Sequence, residues 1–185
     1  MHNLPDSFTF HFQQLQQQKA KGKKATNFVD WAKNIIEMCS FDTVEDFWAL
    51  YQHIIKPNFA DKASQSLMLF RSHIKPLWED PANANGGRFH IHLKKGFASL
   101  FWEEFILAFI GNQFTDEQGS LNGQISGAII SIRPADDILY VWTQCSDTAR
   151  VTRLREMLGR VFNLQDRNNG VMDFKAFGTH PIKAV

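Results

Sequence analysis

Residues 76–88 read Pro-Leu-Trp-Glu-Asp-Pro-Ala-Asn-Ala-Asn-Gly-Gly-Arg, and the other elements of the chain can be ordered around this stretch. Two prolines and two glycines predict a loop here rather than a helix or a strand. The loop carries Trp78 beside Glu79, an aromatic face next to a carboxylate with two acceptor oxygens. A planar, positively charged ligand with N–H donors along one edge would use both groups.

The composition favours one globular domain without a general attraction to nucleic acid. The chain has 185 residues, 44% of them hydrophobic, and a net charge of +1. Any contact with RNA must therefore come from a local site. Cys39 and Cys145, with no CxxC motif, indicate a reducing compartment and no disulfide framework. The N-terminus does not resemble a secretory signal, and the longest apolar run, 105–110, is too short to span a bilayer.

Hydrophobic periodicity predicts strands separated by three helices. Apolar residues alternate with polar ones in 7–12 and 88–93, which is typical of half-buried strands. The remaining strands are predicted to begin at 35 and to cover 67–70, 124–133, 138–143 and a stretch near 171–177.

The first helix has Asp42 or Thr43 as its N-cap, and it should end at Lys56-Pro57. Its apolar side chains fall on one face at helical spacing: Val44, Phe47, Trp48, Tyr51, Ile54 and Ile55. The second helix is expected over 101–110, and the third begins after Asp147 or Thr148.

The order of these elements predicts an α+β domain with an antiparallel sheet and helices on one face. We expect a single domain over residues 1–185. Within it, residues 13–27 are Gln-rich and then basic, which predicts a solvated, mobile loop, with an RNA-proximal basic loop as the alternative. Residues 163–185 are expected to form a variable C-terminal segment.

Two stretches resemble a known family. Trp-Glu-Asp-Pro followed by Gly-Gly-Arg, within 78–88, is similar to the cap-binding loop of the translation initiation factor 4E family. Phe-Asp-Thr-Val-Glu-Asp-Phe-Trp-Ala-Leu-Tyr, at 41–51, resembles the first helix of that family, and the resemblance runs from about 2 to about 160. It implies a curved antiparallel sheet with three α-helices packed on the convex face. It also implies binding of the 7-methylguanosine 5′ cap of mRNA and recruitment of a scaffold protein for translation initiation.

The resemblance assigns the cap base to Trp31, Trp78, Glu79 and Trp142. The two loop tryptophans, Trp31 and Trp78, would sandwich the methylated guanine, whose delocalised positive charge gains stacking and cation–π attraction between indole faces. Glu79 would accept from the guanine N1–H and exocyclic amine, while the main-chain N–H of Trp78 would reach the base carbonyl. Trp142 would lie near the N7-methyl group. The alternatives are that these tryptophans are buried core residues and that Glu79 is a solvated surface carboxylate.

The resemblance assigns the cap phosphates to Arg88 and Arg133, with two ordinary surface arginines as the alternative. The family usually places a lysine in or just after the hairpin turn that follows Arg133. Here residues 134–138 read Pro-Ala-Asp-Asp-Ile, with two acids and no base. This departure predicts weaker phosphate affinity unless another basic residue substitutes.

A partner site is implied on the convex face. It would bind a scaffold or inhibitor helix carrying Tyr-x-x-x-x-Leu-hydrophobic, and its residues would be His2, Leu4, Val44, Trp48, Glu104 and Leu107. The alternative is that the aromatic residues of the first helix all belong to the core. Asn3 stands where proline is usual. Glu103 stands where an apolar residue is usual, a departure that bears on the breadth of partner choice.

The expected function is therefore cap binding in translation initiation, without catalysis, cofactor or metal, in the cytoplasm and with the nucleus as a second location. One alternative is a cap-binding translational repressor of the same family; the other is an enzyme acting on nucleotides or caps. His90 and His92 share one strand face, but no third metal ligand with suitable spacing is evident. No Ser-His-Asp or Cys-His arrangement and no phosphate-cradling Gly-rich loop is evident either.

Overall fold

The alternating segments form one antiparallel sheet of seven strands in a computed structural model, which describes residues 1–14, 34–59, 65–164 and 172–179. The strands are β1 (Asn3–Gln14), β2 (Ile35–Thr43), β3 (Gln65–Arg71), β4 (Gly87–Leu93), β5 (Ile125–Ile132), β6 (Asp137–Thr143) and β7 (Met172–Ala176). Their order across the sheet is β2-β1-β3-β5-β6-β4-β7, and every neighbouring pair is antiparallel. The predicted antiparallel sheet is thus confirmed.

β1 is longer than its apolar alternation indicated. It runs through Gln14, because Gln13 and Gln14 pair with Ser66 and Gln65 of β3. The mobile loop predicted over 13–27 is therefore wrong for its first two residues, and residues 15–27 lie outside the described part of the chain. The single-domain organisation and the variable C-terminal segment stay predictions.

Three α-helices follow the strands: α1 (Val44–Tyr51), α2 (Ala98–Ile110) and α3 (Thr148–Val161). Short 3₁₀ turns cover Pro57–Phe59 and Phe177–Thr179. Two N-caps agree with the sequence, since Thr43 Oγ1 accepts from Asp46 N at 3.1 Å and Asp147 Oδ1 accepts from Arg150 N at 3.0 Å. Within the described residues, no helix has both the length and the apolar character needed to cross a bilayer.

Two helix boundaries differ from the sequence prediction. α1 ends at Tyr51, because Ile54 N bonds to the carbonyl of Tyr51, three residues back, in a tighter turn that precedes Pro57. α2 begins three residues earlier than predicted. The N–H of Ser99 in its first turn is satisfied by Asn58 Oδ1 at 3.2 Å, an acceptor from a distant loop.

Strand alternation divides the apolar side chains between two faces of the sheet. On β3, Leu67 and Leu69 join the large core that includes the buried residues of all three helices. We call that side the helix face. Met68 and Phe70 point the other way, into a smaller buried cluster to which no α-helix of the described residues contributes. We call that side the open face, and its cluster is completed by Ile74, Ile129, Ile138, Tyr140 and Trp142.

α1 divides its aromatic residues between core and surface, which contradicts the alternative that they all belong to the core. Phe47 is fully buried, with its ring 5.4 Å from that of Phe41 and 5.2 Å from that of Tyr51, measured between centroids. Trp48, one position on, is 48% exposed. A helix turns by about 100° per residue, which accounts for the different environments of these neighbours.

These environments predict different costs of truncation. Phe47→Ala should lower the free energy of unfolding by about 3–5 kcal/mol, because it leaves a cavity in the aromatic core. Trp48→Ala should cost much less, since it removes a side chain that is half in water. Urea unfolding of both variants measures the difference. Equal costs would mean that Trp48 is a core residue.

Candidate functional site

A buried asparagine organises the loop between β3 and β4. The side chain of Asn83 is fully buried, and its amide nitrogen donates to the carbonyls of Lys75 at 3.2 Å and Leu77 at 2.8 Å. Its amide oxygen accepts from Ser126 Oγ of β5 at 2.7 Å. The loop is therefore fixed both to itself and to the sheet. Sequence reasoning missed this role, because an asparagine between turn residues is typical of any loop.

The neighbouring carboxylate and glycines tighten the same loop. Asp80 accepts from the N–H groups of Lys75 and Ala82, each at 3.0 Å. A Cβ on Gly86 would lie 1.8 Å from the carbonyl oxygen of Thr143, so only glycine allows the loop to close against β6. The backbone that carries Trp78 and Glu79 is held from both ends.

The loop holds the two predicted base-binding residues side by side. Trp78 is partly buried against the open-face cluster, whereas Glu79 is exposed and pairs with no group in the described part of the chain. Trp31 lies outside the described residues. Ile35, four residues after it, packs against the same open-face cluster as Trp78. An indole packed against the open-face cluster is thus followed in the loop by an exposed, unpaired carboxylate.

Trp142 lies within the open-face cluster and is 2% exposed. The Phe70 ring meets its indole edge-on at 5.6 Å, and the Phe177 ring lies 4.6 Å away. Phe177 N donates to the Gly86 carbonyl at 3.0 Å, which ties the C-terminal 3₁₀ turn to the Trp78 loop. The indole Nε1 of Trp142 has no hydrogen-bond partner among the described residues. The ring of Phe177 packs against the open-face cluster, a contact that sequence reasoning did not identify.

Two arginines converge on one phenol ring. The guanidinium carbons of Arg88 and Arg133 lie 5.0 Å and 5.9 Å from the centroid of Tyr140. Arg133 Nη2 donates to the Tyr140 hydroxyl at 2.5 Å, and Arg88 Nε donates to His90 Nε2 at 3.0 Å. We call these four residues the arginine corner. No carboxylate in the described ranges forms an ion pair with either guanidinium.

The charges in the arginine corner favour an anion. Burial lowers the pKa of Arg88 from its ordinary value, and the nearby charge of Arg133 lowers it further, against an opposing effect of Tyr140. Two guanidinium groups held close together without a counter-ion repel each other. A bound phosphate would relieve that repulsion and accept charge-assisted hydrogen bonds from both.

His90 is uncharged at neutral pH. Burial is the main cause that lowers its pKa, and the positive charges of Arg88 and Lys175 add to it, followed by His92. Asp173 opposes the shift, but the pKa still falls to about 4.

The two strand histidines each have another side-chain partner. Nε2 of His90 already accepts from Arg88, and His92 Nδ1 faces Asp136 at 3.4 Å. Among the described residues, no group of three or more His, Cys, Asp or Glu side chains could hold a metal ion.

The two acids of the β5–β6 hairpin are both engaged. Asp137 is 3% exposed and accepts from Lys95 Nζ at 2.6 Å and from the N–H of Arg133 at 3.3 Å. Lys95 also donates to the carbonyl of Arg133. A lysine from the β4–α2 turn therefore lies at the base of the hairpin. Its ammonium group is already bonded to the hairpin residues beside Arg133.

Three of the predicted partner-binding residues are exposed apolar side chains of α1 and α2, and we refer to these three as the partner patch. Val44, Trp48 and Leu107 are 36%, 48% and 37% exposed. The N-terminal segment lies against this patch, because Val44 N donates to the His2 carbonyl at 2.9 Å and His2 N donates to Glu45 Oε2 at 3.0 Å. Hydrogen bonds from the backbone and ring of His2 lower the pKa of Glu45 to about 2.

Acidic side chains border this patch. Glu103 Oε2 accepts from the Tyr51 hydroxyl and from Lys56 Nζ, both at 3.0 Å. Glu104 is partly buried, and burial raises the pKa of its carboxyl.

Leu4, the remaining predicted partner-binding residue, is partly buried and packs against the helix-face core.

Comparison with known proteins gives one consistent result. The sequence model of the family described as eukaryotic initiation factor 4E matches residues 3–183. Eukaryotic translation initiation factor 4E-4 of Caenorhabditis elegans is 36% identical over 148 residues, which are 79% of this chain and 66% of the relative. The initiation factor NCBP of Triticum aestivum is 35% identical over 147 residues, 79% of this chain and 60% of the relative. The chain thus spans less than two thirds of the length of these curated relatives.

The fold agrees with solved structures. C. elegans eIF4E-3, in a complex with the 4E-binding protein Mextli and a cap analog, superposes with a TM-score of 0.79 at 27% identity. The superposition covers 95% of this chain and 92% of the other, so the expected curved antiparallel sheet with three helices is confirmed. A family match over nearly the whole chain and relatives above 30% identity lead to one assignment: this protein belongs to the eukaryotic initiation factor 4E family.

Proposed function

We propose that this protein binds the 7-methylguanosine cap of mRNA on its open face and a partner protein on its helix face, and that it catalyses no reaction. One observation carries the proposal: a loop fixed by hydrogen bonds places Trp78 against the open-face cluster and the exposed, unpaired Glu79 next to it in sequence, and the open face also carries two arginines that no described carboxylate neutralises. The related eIF4E-3 structure, which contains a cap analog and a binding protein, supports both halves of the proposal.

The base would bind at Trp78, with Trp31 as the second face of the sandwich. N7-methylation gives guanine a positive charge, which an indole face attracts by about 0.5–2 kcal/mol, more when water is excluded. Glu79 would accept from the N1–H and the exocyclic amine, a donor pair that adenine lacks. Trp142 would border the N7-methyl group from within the open-face cluster.

The phosphates would bind at Arg88 and Arg133. Their guanidinium groups are already gathered on Tyr140, so less side-chain freedom is lost when an anion binds. Lys95 would contribute indirectly, by holding the hairpin backbone beside Arg133.

The partner would be a scaffold or inhibitor protein that places an amphipathic helix on Val44, Trp48 and Leu107. Their exposure leaves apolar surface for such a helix. Glu104 lies on α2 with Leu107, the His2 carbonyl accepts from Val44 N, and Leu4 lies in β1, just after His2. The chain would act in the cytoplasm, with the nucleus as a second location.

A cap-binding translational repressor is the second candidate within the family. The observation that favours it is Glu103, a carboxylate held at the edge of the partner patch by Tyr51 and Lys56. Cap-analogue resin loaded with this protein in cell lysate separates the two roles. Co-elution of an initiation scaffold supports recruitment, whereas co-elution of other binding proteins without it supports repression. Release of nucleotide from capped RNA by the pure protein would contradict the absence of catalysis.

The first prediction from this proposed function concerns the methyl group of the base. 7-Methylguanosine triphosphate should quench tryptophan fluorescence and bind at least about tenfold more tightly than GTP, because only the methylated base carries the cation. Fluorescence titration of both nucleotides measures the ratio. Equal affinities would contradict the tryptophan sandwich.

The second prediction separates the base contact from the phosphate contact. Glu79→Gln should weaken the nucleoside 7-methylguanosine and its triphosphate equally, by about 10- to 100-fold, because one hydrogen bond becomes a donor–donor contact. Arg133→Ala should weaken mainly the triphosphate and reduce the salt dependence of binding, since phosphate attraction is the screened contribution.

Matched controls are Glu117→Gln, at an exposed carboxylate in the loop after α2, and Arg150→Ala, at an exposed arginine of α3. Both control variants should bind the nucleoside and the triphosphate with wild-type affinity. If Glu79→Gln weakens the triphosphate more than the nucleoside, the carboxylate does not contact the base edge.

The third prediction concerns the partner patch. Trp48→Ala should abolish binding of a peptide carrying Tyr-x-x-x-x-Leu-hydrophobic and leave cap affinity unchanged, because the two sites lie on opposite faces and share no contacts. Ile36→Ala, at another exposed apolar residue, is the control and should retain peptide binding. Unchanged peptide affinity in a folded Trp48→Ala variant would place the partner site elsewhere.

A further inference from the structure

Tyr140 is the platform on which the arginine corner is built. Its ring carries the guanidinium groups of Arg88 and Arg133 at 5.0 Å and 5.9 Å, and its hydroxyl accepts from Arg133 Nη2 at 2.5 Å. The two like charges interact unfavourably and would move apart in water. The negative face of the phenol ring and its hydroxyl oxygen offset that repulsion, so they keep both cations beside each other in the absence of an anion.

His90 is the third basic side chain in the same corner. It is directly opposite Tyr140 in the β4–β6 register, and its ring meets the phenol edge-on at 4.9 Å. Because its Nε2 accepts from Arg88 Nε, its own proton lies on Nδ1 and the ring is neutral. The corner therefore contains two permanent positive charges and one site that can acquire a third.

We propose that Tyr140 and His90 complete the phosphate site: Tyr140 holds the two guanidinium groups together, and His90 adds a third positive charge by binding a proton when the phosphate chain binds. This inference rests on the proposed function, because it concerns how that same site holds the cap phosphates. The proton comes from solvent and goes to Nε2, and the Arg88 Nε–H turns from the ring to a phosphate oxygen.

The surroundings of His90 determine the direction of this coupling. The titratable or charged groups that face it are Arg88 and His92 on β4, Tyr140 on β6, and Asp173 and Lys175 on β7, with Arg133 behind Tyr140. In the free protein, burial and the surrounding positive charges keep its pKa near 4. A phosphate chain brings several negative charges to the same place and so raises that pKa.

The sign of the pH dependence follows from linkage. A group whose pKa is higher in the complex than in the free protein takes up a proton on binding. Affinity for the phosphate chain therefore rises as the pH falls below the pKa of the complex, by at most about tenfold per pH unit for one proton. The increase levels off toward the pKa of the free protein.

Calorimetry on the wild-type chain tests this coupling without any substitution. The ligand is the dinucleotide cap analogue 7-methylguanosine-triphosphate-guanosine, whose internal phosphates do not titrate between pH 5.5 and 7.5. The reference ligand is the nucleoside 7-methylguanosine, which has the same base and no phosphate, and the comparison is made at pH 5.5–6, below the ionisation of the base in either ligand. Titrations in two buffers with different ionisation enthalpies count the protons taken up. We expect a larger uptake with the dinucleotide; equal uptake with both ligands would overturn the proposal.

Two conservative variants assign the effect to its residues. His90→Gln keeps an acceptor oxygen for Arg88 Nε but cannot bind a proton, so the excess uptake and the rise in affinity toward low pH should disappear. Tyr140→Phe keeps the ring and removes the hydroxyl, which should weaken the dinucleotide about three- to tenfold and leave the nucleoside unchanged. Excess uptake that persists in His90→Gln, or full dinucleotide affinity in Tyr140→Phe, would overturn the proposal.

The nucleoside separates failure of this inference from failure of the proposed function. Normal nucleoside binding in a variant shows that it is folded and that its base site is intact. If the wild type binds the nucleoside but shows no excess proton uptake with the dinucleotide, only the inference fails. If the wild type binds neither ligand at any pH, the proposed function fails and the inference falls with it.

Discussion

The two-residue period of a β-strand is the constraint on which this structure depends. On β3, Leu67 and Leu69 enter the core beneath the helices, while Met68 and Phe70 enter the cluster on the open face. Residues 139–142 on β6 alternate in the same way between the two faces. A register slip of one residue would exchange the two sets, so the register that buries the core also determines which side chains line the candidate site.

The open face has no helix to close it within the described residues, and loops with satisfied polar groups take that place. The Asn83 amide joins two loop carbonyls to Ser126 on the sheet, and Asp80 accepts from two N–H groups of the same loop. A buried polar network with every bond made specifies one conformation, because any rearrangement leaves a costly unpaired group. The backbone that carries Trp78 and Glu79 is thus fixed without a ligand, which would lower the entropy lost if one binds.

Charge pairing distinguishes structural cations from those of the candidate site. Arg71 pairs with Asp6, and Lys95 pairs with a buried aspartate at the base of the hairpin. Arg88 and Arg133 differ, since they contact a phenol and a neutral imidazole instead of a carboxylate. The chain therefore keeps an uncompensated positive potential at one place on a molecule whose net charge is only +1.

The sequence by itself determined the features that depend on near neighbours along the chain. Strand alternation in 88–93, the N-caps of α1 and α3, and the loop containing Trp78 all follow from local periodicity and turn chemistry. It also supported the family resemblance, which assigned site residues such as Arg88. Local pattern could not separate buried Phe47 from exposed Trp48, because both fit an apolar helical face.

Only the tertiary structure decided the contacts between residues remote in sequence. Asn58 completes the first turn of α2, Ser126 anchors the Trp78 loop, and Tyr140 brings two arginines together. The physical reason is that such side chains meet only once strand register and helix docking have placed them. A local sequence pattern specifies the conformation of its own segment, but it does not specify which distant residue that segment will contact.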